Sequence, residues 1–257
     1  LKKCKKTVQI GMIGKYVDLE DSYKSLNESL LHASVHNNIS LKIKFIDSED
    51  IKKNKISILN ALQGIVVPGG FGNRGVEGKI LTAQYARMNK IPYLGICLGM
   101  QISIIEYARN VLGLRNANST EFDVNTKHPV ISLVTEWDDY KRGKLKGTLN
   151  QLGGTMRLGA QKCNLIKRSL AYKLYKKNVI TERHRHRYEV NNKYIKDFDG
   201  TDLIFSGYSG NKDLMEVMEI KNHPWYLASQ FHPEFTSSPM KGHPIFNNFI
   251  KTAYQIK

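Results

Sequence analysis

Cys97 stands between two glycines in Gly95-Ile96-Cys97-Leu98-Gly99-Met100-Gln101. A nucleophile with glycine at minus two and plus two is the pattern of a sharp strand-to-helix turn. The spacing has a steric origin, because at so tight a turn side chains two residues away would collide. The same geometry lifts the sulfur out of the sheet and aims the next backbone N–H groups at its target. It also places a helix N-terminus, which favours an anion, behind the thiol. A free cysteine is often only a small buried hydrophobe, but the glycines and the strand-to-helix break argue for chemistry. Such a nucleophile needs a histidine oriented by an acid. Phe231-His232-Pro233-Glu234-Phe235 supplies both, with Pro233 setting the turn that folds the Glu234 carboxylate back to the imidazole. A histidine that merely closes a strand would read the same from this segment alone.

Two other patterns compete for attention. Gly70 to Gly75 spells G-x-G-x-x-G after an apolar run, which suggests a dinucleotide loop. The segment begins Pro68-Gly69-Gly70, however, and the next strand ends at Cys97 without the acid that would hold a ribose. An exposed N–H from Gly69 or Gly70 facing the Cys97 turn, half of an oxyanion hole, is the better use. His-x-Glu also occurs in zinc deaminases, which need Pro-Cys-x-x-Cys downstream. No cysteine follows Cys163, so no metal site is expected. Glu182-Arg183-His184-Arg185-His186-Arg187-Tyr188-Glu189 is the densest charge cluster. As a strand it would place Arg183, Arg185 and Arg187 on one face and His184, His186 and Tyr188 on the other. It reads equally as a solvated edge strand or as an arginine clamp for a carboxylate.

The elements that must position these residues follow from periodicity. Strands are expected at 8–13, 41–45, 64–67 and 91–96. Helices are expected from Tyr23 to Ala33, around 56–62, over 79–89 and, amphipathic, from Leu98 to about Arg109. This alternation argues for a parallel sheet with right-handed crossovers and a site at the carboxyl ends of its strands. The second half is richer in strands: 130–134, 156–166, 185–190, an antiparallel pair at 203–205 and 215–220 joined by a Ser-Gly-Asn turn, and 225–231. Residues 136–152 read as a polar surface loop and 244–255 as a closing helix. The fold class is α/β, a central mostly parallel sheet flanked by helices with a smaller antiparallel sheet in the second half.

The 257 residues, 41% hydrophobic and 24% charged, suit one large domain. No apolar run approaches the roughly 18 residues of a membrane span, so no membrane partner is expected. Three widely spaced cysteines suit a reducing compartment, the cytoplasm. The net charge of +16 raises nucleic acid as a partner. The excess is scattered lysine without a nucleic-acid-binding motif, which argues against it. The chain opens on Leu1 with a lysine-rich segment, residues 1–6, expected to be the remnant of a linker from a missing upstream part, with one domain over 7–257.

Together, Pro68-Gly69-Gly70, the Cys97 turn and His232-Pro233-Glu234 resemble the three signatures of class I glutamine amidotransferases. Gly153–Gln161, Glu182–Asn192 and His232–Ser237 resemble, more narrowly, the carboxy-terminal glutaminase domains of CTP synthases, over essentially the whole chain. The resemblance implies hydrolysis of L-glutamine by a Cys97, His232 and Glu234 triad. It carries glutamine binding onto Gly70, Leu98, Gly99, Met100, Gln101, Glu121 and Arg187, with Arg187 on the substrate α-carboxylate. It implies that ATP and Mg act only on an amino-terminal synthase domain, that no cofactor belongs to this chain, and that GTP activates through a lid at Phe71–Gly78. Assembly, a homotetramer in full-length enzymes, is implied to run through the synthase domain, which leaves this domain a monomer or weak dimer. A catalytically silent regulatory or assembly domain is the alternative.

Overall fold

A computed structural model describes residues 6–15, 20–133, 136–139, 143–146, 156–210 and 214–256. Five of the six proposed linker residues, 1–5, lie outside these, as do Gly153–Thr155 and Asn211 of the expected turn. The first half alternates as its periodicity requires: β1 (Thr7–Gly14), α1 (Lys24–Asn37), β2 (Ser40–Asp47), β3 (Gly64–Val67), α2 (Val76–Met88), β4 (Tyr93–Ile96) and α3 (Leu98–Asn110). The short helix expected near 56–62 is a 3-10 segment at Lys53–Leu59. The second half comprises β5 (Ala117–Ser119), β6 (His128–Leu133), β7 (Glu136–Asp139), β8 (Gly143–Lys146), β9 (Arg157–Leu165), α4 (Leu170–Tyr175), β10 (Val179–His186), β11 (Tyr188–Val190), β12 (Leu203–Tyr208), β13 (Met215–Ile220), β14 (Tyr226–Ser229) and α5 (Pro244–Gln255).

One nine-stranded sheet runs β10-β9-β12-β13-β14-β4-β3-β1-β2. The strands from β14 to β2 are parallel, and β13, β12, β9 and β10 extend them antiparallel. The inner parallel strands β1, β3, β4 and β14 are mostly buried because both faces are covered, whereas the edge strand β2 alternates apolar and charged residues. Val8, Ile10 and Met12 join α1 (Leu26, Leu30, Ala33) and α5 (Phe246, Phe249, Ile250) in one core. Ile13, Ile65, Val67 and Tyr93 join α2 (Ile80, Ala83) and α3 (Ile104, Ala108) in the other. Each fully buried Leu, Ile or Phe there contributes about 1.5–3 kcal/mol.

The structure departs from four local expectations. The helix α3 is not amphipathic in its environment: Leu98 to Ala108 are all buried, because the small sheet β11-β6-β5 covers its outer side. Glu106 within it is satisfied by Arg87 at 2.7 Å. The strand expected at 185–190 is two strands, β10 ending at His186 and β11 starting at Tyr188, in different sheets. The polar stretch at 136–152 is not all loop, since β7 pairs antiparallel with β8; its residues 140–142 and 147–152 lie outside the described ones. The last parallel strand is shorter than expected, closing at Ser229 rather than Phe231. The strand β5 and the helix α4, too short to show periodicity, went unpredicted.

Candidate active site

The active-site candidate lies at the carboxyl ends of β3, β4 and β14. Cys97 is the N-cap of α3, at φ 53° and ψ −102°, a conformation that residues other than glycine seldom adopt. Surrounding bonds hold it there: its N–H donates to Ser229 O at 2.7 Å, and its carbonyl accepts from Met100 N at 3.0 Å. The flanking glycines are sterically required. A Cβ on Gly95 would lie 2.7 Å from the Gly99 backbone, and one on Gly99 would lie 2.2 Å from Val67 O.

His232 follows β14, and its N–H donates to Arg183 O at 2.8 Å. Pro233 opens a 3-10 turn, Pro233–Phe235, that returns Glu234 Oε1 to 2.7 Å from His232 Nδ1. The ring of Phe235 stacks on the imidazole with centroids 5.2 Å apart. With Nδ1 engaged, His232 Nε2 is buried without a hydrogen-bond partner. Burial works against the imidazolium, but the Cys97 charge and contact, and then Glu234, outweigh it and raise His232 to about 10. Gly69 makes the approach possible, since a Cβ there would sit 2.9 Å from His232 Cε1 and 3.5 Å from Cys97 Cβ. Pro68, Gly69, Gly70, Cys97, His232 and Glu234 share the wall of a cavity of about 270 Å³.

Of the glutamine-binding residues expected from sequence, only Gly70 is among those that line this cavity. Gly70 lies over Leu98, the first amide of α3, which has no partner within the helix. Met100 points into the core and its N–H is spent on Cys97 O, and Gly99 packs against β3. Gln101 Nε2 donates to Tyr188 O at 2.9 Å and to Gln230 Oε1 at 3.3 Å. Glu121 accepts from Gly72 N at 2.6 Å. Burial raises its carboxyl above the usual range, with the Gly72 N–H and the charges of Lys15 and Arg187 pulling the other way. Arg187 stands at the break between β10 and β11, with its Nε buried and unpartnered. The Phe71–Gly72 backbone is also gripped by Lys15 Nζ, which donates to both carbonyls.

Arg183 and Arg185 point outward and His184 and His186 inward, as strand alternation predicts. Beside Phe231, His184 lies 2.8 Å from His186, and the pair meets Glu216, Glu189 and Arg157. Burial, with the Arg157 charge, holds both histidines well below their usual range. Burial raises Glu189, with Glu216 adding to it and Arg157 only partly compensating. His184, His186 and Glu216 place ligand-type atoms within 4.8 Å of one another; the Arg157 guanidinium bonds Glu216 Oε1 at 2.8 Å, and Oε2 faces His184 without a hydrogen-bond partner. Sequence reasoning missed Gln230 altogether. Its signal was position, two residues before His232 and directly after the strand that pairs with β4.

The description "Glutamine amidotransferase class-I" matches residues 18–252. Among solved structures, the chain is similar to the glutaminase domain of CTP synthase from Trypanosoma brucei, described with bound acivicin. The two share 38% identity at a TM-score of 0.86, covering 97% of this chain and 95% of that one. A glutamine amidotransferase from Thermotoga maritima matches at TM-score 0.54 and 11% identity, covering 96% of each chain. One from Methylobacillus flagellatus matches at 0.53 and 10%, covering 97% and 93%. The last two are similar in fold alone. No helix among the described residues is long and apolar enough to cross a membrane. With the family description spanning most of the chain and a 38% identical glutaminase domain aligned along nearly all of it, the chain belongs to the class I glutamine amidotransferases.

Proposed function

We propose that this chain hydrolyses L-glutamine through a Cys97-His232-Glu234 triad and supplies the ammonia to a CTP synthase domain that aminates UTP. The observation that carries the triad is the buried His232, held at Nδ1 by Glu234 and presenting an unpartnered Nε2 on the Cys97 side. The likeness to the Trypanosoma brucei glutaminase domain supports the pathway. The Cys97 thiolate attacks the side-chain amide carbon. The N–H groups of Gly70 and Leu98 receive the oxyanion, each worth about 2.7–4 kcal/mol. The His232 imidazolium gives its proton to the departing ammonia, leaving a glutamyl thioester. Neutral His232 then takes a proton from water, which attacks the thioester and releases glutamate and the thiolate.

In this reading Arg187 pairs with the substrate α-carboxylate, and its buried unpartnered Nε is a donor that such a group would satisfy. Glu121 and Gln101 hold the polar end. ATP and Mg would act on the synthase domain, and GTP through the Phe71–Gly78 loop; no residue here is assigned to any of them. The deciding experiment is labelling with diazo-oxo-norleucine, read by peptide mass spectrometry. One adduct on Cys97, blocked by glutamine and lost in Cys97→Ala, is expected. A folded chain that takes no adduct would favour a silent regulatory domain instead.

A further inference from the structure

β4 and β14 run side by side in parallel, with Ser229 opposite Ile96, so the residues that follow them, Cys97 and Gln230, face one another. Gln230 is fully buried, and its side-chain nitrogen lies 3.7 Å from Cys97 Sγ. The orientation of that amide follows from its neighbours. A backbone carbonyl can only accept, so Gln101 must present its Nε2 to Tyr188 O. The same Nε2 lies against Gln230, which must therefore answer with Oε1. Gln230 Nε2–H is thus the end aimed at sulfur. An N–H donor favours the anionic sulfur over the neutral thiol. Across from it, Arg185 O stands 4.0 Å from Sγ, an acceptor that suits S–H and not a thiolate.

We propose that Gln230 is a further catalytic residue, the donor that holds the Cys97 thiolate against the opposing Arg185 carbonyl, with Gln101 fixing its orientation. The proposal rests on Cys97 being the nucleophile. The hydrogen bond exists with the thiolate that attacks, weakens in the thioester, where sulfur no longer carries the charge, and reforms as the thioester breaks. It therefore favours both the attacking state and the departure of sulfur.

Gln230→Met keeps the length of the side chain and removes the donor. The readout is the pH dependence of Cys97 alkylation by iodoacetamide, followed by peptide mass spectrometry, beside kcat and KM for glutamine. At about pH 6.5 alkylation is expected to slow about tenfold, with the midpoint of the profile moved up by about one unit, and kcat to fall with KM held. Should Gln230→Met not fold, Gln101→Met frees the amide to turn and is expected to shift the profile the same way by less. A profile that superimposes on the wild type in the folded variant overturns the proposal. Failure of the underlying reading shows separately, as glutamine hydrolysis that persists in Cys97→Ala.

Discussion

His232 Nδ1 and Glu234 Oε1 are 2.7 Å apart, two residues along the chain, because Pro233 starts a 3-10 turn between them. The carboxylate helps keep the proton on a ring raised to about 10. Glu234→Gln removes that charge and allows an amide NH2 as well as an oxygen to face the ring. Glutamine turnover is expected to fall by about three orders of magnitude. The alkaline limb of its pH–rate profile is expected to move toward lower pH, because the imidazolium loses a proton more easily. Steady-state kinetics across pH checks both.

Gly99→Ala places a Cβ 2.2 Å from Val67 O, and neither backbone has a flexible end with which to yield. A stability loss of about 3 kcal/mol is expected in denaturant unfolding. Cys97 labelling should fall with it, because the start of α3 moves. An alanine variant as stable as the wild type would show that the close packing of α3 on β3 is not required.

Arg157 is 1% exposed and bridges the buried Glu189 and Glu216. Arg157→Met leaves two carboxylates without their cation and is expected to cost about 3–5 kcal/mol. Adding Glu189→Gln and Glu216→Gln to it should recover part of that loss, which comparing the unfolding free energies of the single and the triple variant reads directly.

His223 accepts from Trp225 N at 3.1 Å and its Nε2 meets Ala86 O at 3.0 Å, so its neutral form is bonded on both sides. Burial lowers it to about 4, against an unfolded value of about 6.5. Between these values the unfolded chain binds the extra proton, so stability is lost as pH falls from 6.5 to 4. Its contribution is complete above that window, with a total of about 3 kcal/mol at most. His223→Gln is expected to flatten this part of the stability–pH curve, measured by urea unfolding from pH 4 to 7.

Arg187→Ala should raise KM for glutamine about thirtyfold with kcat little changed, because a pair to the α-carboxylate binds ground and transition states alike. A fall in kcat at unchanged KM would move Arg187 out of the binding role.

What the sequence determined by itself was whatever local sterics dictate. Gly95 is demanded by a turn of a few residues, the Pro233 turn brings Glu234 back to its neighbour, and period-two alternation separates the Arg183 and Arg185 face from the His184 and His186 face. The helices and parallel strands of the first half were legible because each carries its own apolar repeat. Only the tertiary structure decided what depends on long-range register. Gln230 reaches Cys97 because β14 pairs with β4, a contact between residues 133 positions apart that no local pattern records. The burial of α3 on all sides and the break at Arg187 between two sheets arise in the same way, from a second sheet that closes over the helix. Met100 and Gly99 sit where sequence placed them along the chain, yet packing turns the Met100 side chain into the core and presses Gly99 against β3.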